Sequence, residues 1–149
     1  MNLVRVQTEP FDSAAVQREL VAGNPAVGAV VSFVGLMRDS NQGERVRSMT
    51  LEHYPAMTEK ALQAIVREAD ERWDLMGICL LHRVGELLPT DPIVLVSVAS
   101  AHRGEAFRAC EFLIDYLKTR APFWKKEVTN RGERWVEARD RDEKAASRW

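Results

Sequence analysis

Apolar residues recur in this chain with two different periods, and the order in which those periods follow one another restricts the fold more than any other feature. Alternation, or short runs rich in Val, Ile and Leu, marks 2–7, 27–37, 46–53, 75–84 and 92–101 as strands. Helical spacing marks three segments. The first runs through about Val21, with Asp12 or Ser13 able to cap it. The second opens at Pro55 and carries Met57, Leu62, Ile65, Val66, Ala69 and Trp73 on its apolar side, and the third covers about 104–119 with Ala106, Cys110, Leu113 and Leu117 on one stripe. Pro122 stops the third helix, after which 123–129 and 134–138 read as a hairpin around Asn130, Arg131 and Gly132. Residues 140–149 form a charged tail without caps. The resulting order, β-α-β-β-α-β-β-α-β-β, sets too many strands next to one another for a doubly wound parallel sheet, which needs a crossover helix between successive strands. An α+β fold with mostly antiparallel pairing is expected, as a single domain over 1–149, since a chain of this length can bury roughly 68–70% of its unfolded surface.

Charge and cysteine content narrow the chemistry. Lys and Arg total 21 against 22 for Asp and Glu, so no overall field attracts nucleic acid or an anionic membrane, and any anion site must be local. The opening MNLVRVQTEPF lacks the apolar core of a signal peptide, and no apolar run approaches the ~20 residues that span a bilayer. A cytoplasmic protein is expected. Cys79 and Cys110 sit in apolar runs without CxxC spacing and read as buried free thiols, unsuited to supplying sulfur to a reaction. His53, His82 and His102 have no ligand-type spacing, and the glycines form no dinucleotide or phosphate-loop signature, so neither a metal nor a cofactor is expected.

Two places could carry chemistry. At Ala101-His102-Arg103-Gly104 a buried strand gives way to a helix, whose free N–H groups and dipole favour an anion. Arg103 adds a fork suited to phosphate or carboxylate, and His102 a proton donor or acceptor; a surface arginine and a backbone-satisfied histidine would look the same in sequence. The second place is Lys118-Thr119-Arg120-Ala121-Pro122-Phe123-Trp124-Lys125-Lys126, where four cations crowd a helix end. A solvated basic cap explains them equally well, since cations are favoured at a helix C-terminus. Alternation in the strand after Pro122 nevertheless separates the adjacent lysines: Lys125 shares a face with Phe123 and Glu127, Lys126 with Trp124 and Val128. A lysine among other cations is prepared as a base, acid or nucleophile, and Lys118 and Lys125 fit that description if they converge, which spacing does not decide.

The segments LEHYPAMTEKAL (51–62), HRVGEL (82–87), SAHRGEAF (100–107), DYLKTRAPFWKKE (115–127) and RWVEAR (134–139) together resemble the catalytic, large subunit of molybdopterin synthase. The resemblance runs from about Gly28 to Trp149. It implies an α/β hammerhead fold elaborated with antiparallel strands, and a sulfurtransferase of molybdenum cofactor biosynthesis that converts cyclic pyranopterin monophosphate to molybdopterin. The two dithiolene sulfurs would come from a small ubiquitin-like subunit with a thiocarboxylated Gly-Gly tail, bound to each end of a homodimer to form a heterotetramer. The resemblance further implies that Lys118 and Lys125 are the catalytic pair. It assigns Arg38, His102, Arg103, Arg139 and Phe33 to binding the substrate and the tail, with Arg139 acting across the dimer interface. Two other functions use the same basic residues: a Schiff-base lysine lyase, and an interaction module that only docks a partner's acidic tail.

Overall fold

In a computed structural model, the structure describes residues 2–136 and 140–149. Four helices and nine strands are present among them: β1 (Asn2–Gln7), α1 (Ser13–Val21), β2 (Ala29–Leu36), β3 (Ser40–Asn41), β4 (Glu44–His53), α2 (Pro55–Arg72), β5 (Gly77–Arg83), β6 (Gly85–Leu87), β7 (Pro92–Ser100), α3 (Arg103–Arg120), β8 (Phe123–Thr129), β9 (Gly132–Val136) and α4 (Asp140–Ala146). The expected α+β class holds, and the pairing is antiparallel throughout except between β1 and β5.

One sheet has the order β1-β5-β7-β2. Because successive side chains on a strand point to opposite faces, β5 sends Ile78 and Leu80 to one side and Cys79 and Leu81 to the other. On the first side, helices α2 and α3 cover the sheet with Leu62, Ile65, Val66, Phe112, Leu113 and Leu117. On the second, α1 covers it with Leu20, joined by Phe11 and Val16. Phe112 and Leu113 are wholly buried, and each such side chain contributes roughly 1.5–3 kcal/mol relative to exposure. Asp12 is the cap of α1: its carboxylate accepts hydrogen bonds from the amides of Ala14 and Ala15 at 3.0 and 3.1 Å, satisfying two of the helix's orphan donors. Pro55 occupies the first turn of α2, where its missing N–H costs nothing.

The second sheet is built on β4, which pairs with β8 on one edge and with β3 and β6 on the other, while β9 pairs with β8. Met37, Val46, Met49, Leu51, Val84 and Leu87 form its own apolar cluster. The β8–β9 hairpin closes tightly, with Thr129 opposite Gly132 and Gly132 at φ +107°, a conformation open to glycine and strained for other residues. Strand β9 therefore starts two residues earlier than the sequence pattern suggests. The tail also differs from expectation: 140–146 is helical, and beyond it Trp149 packs edge-on against Trp73 and Phe112. Its indole N–H donates to the Asp115 carboxylate at 2.6 Å, so tertiary packing on α3 secures a tail that has no capping signal of its own.

At the base of β2, Gly28 N–H donates to the Ser100 carbonyl at 3.0 Å. A Cβ added to Gly28 would lie 2.2 Å from the carbonyl oxygen of Ala101, so only glycine allows the start of β2 to lie this close to the junction leading into α3.

Candidate active site

Helix α3 ends at Arg120, and the chain turns at Ala121 and Pro122 to run back as β8. The Phe123 amide donates to the Ala121 carbonyl at 2.9 Å, and the Thr58 hydroxyl on α2 donates to the Pro122 carbonyl at 3.2 Å, which fixes the turn to the neighbouring helix. Lys118, from the last turn of α3, and Lys125, the third residue of β8, consequently line the same cavity of about 290 Å³. Arg38, on the segment after β2, lines it too. The other walls include Phe123, Leu51, Ile93 and the buried side chains of His82 and Glu127. Three cations thus face one partly apolar cleft.

Alternation along β8 decides which lysine enters. Phe123, Lys125 and Glu127 all line the cleft, whereas Trp124 is exposed on the opposite face. Lys126 also points away: its ammonium pairs with Glu133 at 3.0 Å and lies 5.7 Å from the Trp135 ring. Glu127 does not cancel the cleft's positive charge freely, because its carboxylate accepts from Asn41 at 3.0 Å and from Arg134 at 3.3 Å, and Arg134 in turn pairs with Glu44 at 2.7 Å.

His102, Arg103 and Phe33 do not line this cleft. His102 stands at the N-cap position of α3 without a side-chain capping hydrogen bond and Arg103 is the first residue of the helix, both exposed. The fifteen-residue separation from Lys118 amounts to about 22 Å along the helix axis at 1.5 Å per residue. Phe33 lies on the edge strand β2, 39% exposed, and is not among the lining residues. Arg139 lies outside the described residues.

Two residues of the cleft escaped sequence reasoning as site candidates. Glu127 was legible as a neighbour of Lys125 by alternation, but nothing in the pattern reveals its link to Asn41 and Arg134. His82 gave one local signal, a polar residue ending an otherwise apolar strand. Its ring stacks on Phe123 with centroids 3.9 Å apart, and burial pushes its pKa down to about 4, with smaller contributions in the same direction from Lys118, His53 and Lys125. Arg83 beside it turns away and donates to the carbonyls of Thr8 and Pro92.

Both cysteines are buried free thiols, as expected, and burial pushes each up to about 11. At neutral pH they remain protonated and lack the nucleophilic thiolate. Neither lines the cleft. Among the described residues no helix is long and apolar enough to cross a membrane.

Comparison with known proteins gives this geometry a family. The sequence profile of the family described as MoaE protein matches residues 6–120. The molybdopterin synthase catalytic subunit of Ralstonia nicotianae is 59% identical over 149 residues, covering all of this chain and 85% of that protein. The solved structure of the molybdopterin biosynthesis MoaE protein from Burkholderia ambifaria superposes with a TM-score of 0.86 at 53% identity, covering 100% of this chain and 98% of that one. A Helicobacter pylori protein–protein complex of subunits 1 and 2 of the molybdopterin-converting factor contains the same fold, with a TM-score of 0.73 at 22% identity over 91% of each chain. The chain belongs to the family of molybdopterin synthase catalytic subunits, the MoaE proteins.

Proposed function

We propose that this enzyme is a sulfurtransferase that inserts two dithiolene sulfurs into cyclic pyranopterin monophosphate to form molybdopterin, taking them from the thiocarboxylated Gly-Gly terminus of a small ubiquitin-like subunit in the cytoplasm. The observation that carries the reading is the convergence of Lys118, Lys125 and Arg38 on one cleft. Both reactants are anionic, one through its phosphate and the other through its thiocarboxylate. Like charges brought together in a partly apolar site repel strongly, and three cations offset that repulsion. A tail ending in two glycines has no side chains to obstruct a cleft of about 290 Å³. External sulfur also accords with two cysteines that are buried, protonated and away from the cleft.

In this mechanism Arg38 holds the anionic group of the substrate by a bidentate contact, and the two lysines assist attack by the thiocarboxylate sulfur on the substrate and then hydrolysis of the resulting acyl–sulfur bond by water, which frees the tail as a carboxylate and leaves the sulfur on the substrate. Lys118 and Lys125 act by proton transfer and by stabilising the developing oxyanion. His102 and Arg103, about 22 Å from Lys118 along α3, serve the same cleft only when a second copy of the chain brings them there. We therefore assign the working form to a homodimer carrying a small subunit at each end, a heterotetramer. The complex of subunits 1 and 2 formed by the Helicobacter pylori relative supports a small-subunit partner.

Reconstitution of the chain with its thiocarboxylated partner and the cyclic precursor tests the assignment. Dithiolene product is expected from the wild type, with Lys118→Ala and Lys125→Ala each lowering the rate by ~10²–10⁴, the usual effect of a positioned acid–base group. Near-normal conversion by both folded variants would sink the reading. A mixture of Lys118→Ala and Arg103→Ala chains should regain activity through the one intact cleft of each mixed dimer, and failure to do so would remove the shared-site element.

A further inference from the structure

Arg38 lines the cleft from just beyond the end of β2 at Leu36, outside any strand, yet its backbone is held on both sides. Before it, the Met37 amide donates to the Asp91 carbonyl at 2.9 Å, and the Met37 carbonyl accepts from the Thr90 amide at 2.8 Å. After it, the Asp39 carbonyl accepts from the amide of Val46 on β4 at 2.8 Å. The Met37 side chain is buried and joins Val46, Met49 and Leu87 in the second sheet's apolar cluster. Among the described residues the Arg38 guanidinium is paired with no carboxylate, so the backbone that carries it does most to set where the head group stands.

Met37 is gripped by the turn 88–91, which joins β6 to β7. The Asp91 amide donates to the Leu88 carbonyl at 2.9 Å, the bond that closes a β-turn. Pro89 fixes a negative φ at the second position and Thr90 has φ +75° at the third, which makes the turn type II. That third position suits glycine, and a β-branched threonine there is strained. Such strain persists only where neighbouring contacts over-determine the backbone. One such contact is the bond from the Thr90 amide to Met37. The other is the Asp91 carboxylate, which accepts from the Leu88 amide at 2.8 Å and ties the ends of the turn together a second time. The register of β2 on β7 slips at the same place: Gly35 lies opposite Val94 but Leu36 opposite Pro92, which leaves Ile93 as an extra residue, and Ile93 lines the cleft.

We propose that the turn 88–91 anchors Arg38 in the cleft, with Asp91 as its positioning residue: the carboxylate fixes the turn, and the backbone of the turn fixes Met37 and with it Arg38. Asp91 does not itself line the cleft, so it acts on a bound anion through the arginine. An arginine rooted in an anchored backbone loses less freedom on binding and keeps more of its affinity. Removing a negative charge would by itself favour an anion, so weaker binding without the Asp91 carboxylate has the opposite sign to the electrostatic effect. The consequence for turnover rests on the sulfur-transfer reading given above; anion binding by the free chain does not.

The test starts with the free, folded chain. Arg38 is modified with phenylglyoxal in rising concentrations of inorganic phosphate and followed by mass spectrometry, with the exposed Arg18, away from the cleft, as reference. The phosphate concentration that half-protects Arg38 is expected to rise about tenfold in Asp91→Ala, and to stay within about threefold of wild type in Asp91→Asn, whose amide oxygen still accepts from Leu88. Should Asp91→Ala fail to fold, Pro89→Gly loosens the same turn by freeing φ at its second position, and should raise half-protection by about threefold or more. Equal half-protection in wild type and the folded loosened variant, or no protection of wild-type Arg38, overturns the proposal whatever the turnover. With partner and precursor present, Asp91→Ala should raise the KM for the precursor about tenfold while kcat stays within about threefold. In an Arg38→Ala background the same substitution should add less than about twofold, because its effect passes through Arg38. A fall in kcat without a change in KM, or an equal effect in both backgrounds, overturns the positioning role. Wild-type chain that forms no dithiolene product but shows the expected phosphate protection would sink the sulfur-transfer reading and uphold the anchor.

Discussion

Replacing Arg134 with methionine should unfold the second sheet before the first loses its packing. Glu127 and Arg134 face each other across the β8–β9 ladder, and the glutamate side chain is only 6% exposed. Its Oε1 accepts three hydrogen bonds from described residues: one from Asn41 at 3.0 Å and two, from Nε and Nη2 of Arg134, at 3.3 Å. Arg134→Met deletes two of the three together with the compensating charge, and also leaves Glu44 without the donor at 2.7 Å. Breaking a fully buried pair costs about 3–5 kcal/mol, but the Arg134 side chain is 30% exposed, so returning water reduces the loss to about 2–3 kcal/mol. With a urea slope of roughly 1–3 kcal/mol/M, the midpoint should drop by about 1–2 M. Urea unfolding followed by tryptophan fluorescence measures this, since Trp124 and Trp135 lie in the same hairpin. Adding Glu127→Gln to Arg134→Met should recover at least half of the loss, because a neutral amide needs no countercharge. A loss under ~0.5 kcal/mol in Arg134→Met, or a double variant less stable than the single one, would refute the account of Glu127 as a buried charge held by Arg134.

Three further expectations follow from separate contacts. Lys126→Ala should change the sulfur-transfer rate less than threefold, because that side chain faces Glu133 and Trp135; a loss as deep as that of Lys125→Ala would contradict the strand orientation. His82 has a folded pKa of about 4 against 6.5 unfolded, so the unfolded chain binds more protons between those values and stability falls as pH drops through that window. The contribution reaches about 3–4 kcal/mol at about 1.4 kcal/mol per factor of ten, and the difference in unfolding free energy between pH 6.5 and 4.5 should shrink in His82→Gln; an unchanged pH slope would count against a buried neutral imidazole. Trp149→Ala should cost about 2–4 kcal/mol in thermal or urea unfolding, through the lost aromatic contacts with Trp73 and Phe112 and the indole bond to Asp115; a loss below 1 kcal/mol would show that the tail does not brace α3.

The parts of the fold legible in the sequence are those whose signal is periodic and local. The stripe Ala106, Cys110, Leu113, Leu117 identified α3, and alternation after Pro122 separated Lys125 from Lys126, because side-chain direction on a strand follows from position alone. The parallel pairing of β1 with β5 was not legible, since it joins segments more than seventy residues apart and depends on the whole sheet being assembled. The helix at 140–146 is not legible for a related reason: its sequence is polar, and the chain around it is secured by Trp149 against Trp73, just past α2, and Phe112 and Asp115 on α3. For the site, motif order groups His102, Arg103, Lys118 and Lys125, yet the helix that carries Arg103 and Lys118, with His102 at its N-cap, keeps the first two far from the cleft. His82 has no periodic signal because its place in the cleft wall depends on an aromatic ring brought to it by another strand.

The contact between Gly28 and Ala101 has a mechanical consequence. Strand β2 and helix α3 both start at that contact, and both deliver cations to the cleft at their far ends, Arg38 beyond β2 and Lys118 on α3. They are two elements packed side by side on a shared base. Over an arm of about 22 Å, a rotation of roughly 3° at that base moves Lys118 by about 1 Å, a displacement of the size that misaligns reacting groups. A substituent as small as the methyl of Gly28→Ala, set where a carbonyl oxygen already stands, therefore acts on the far end of the molecule as a change in the span between two charges.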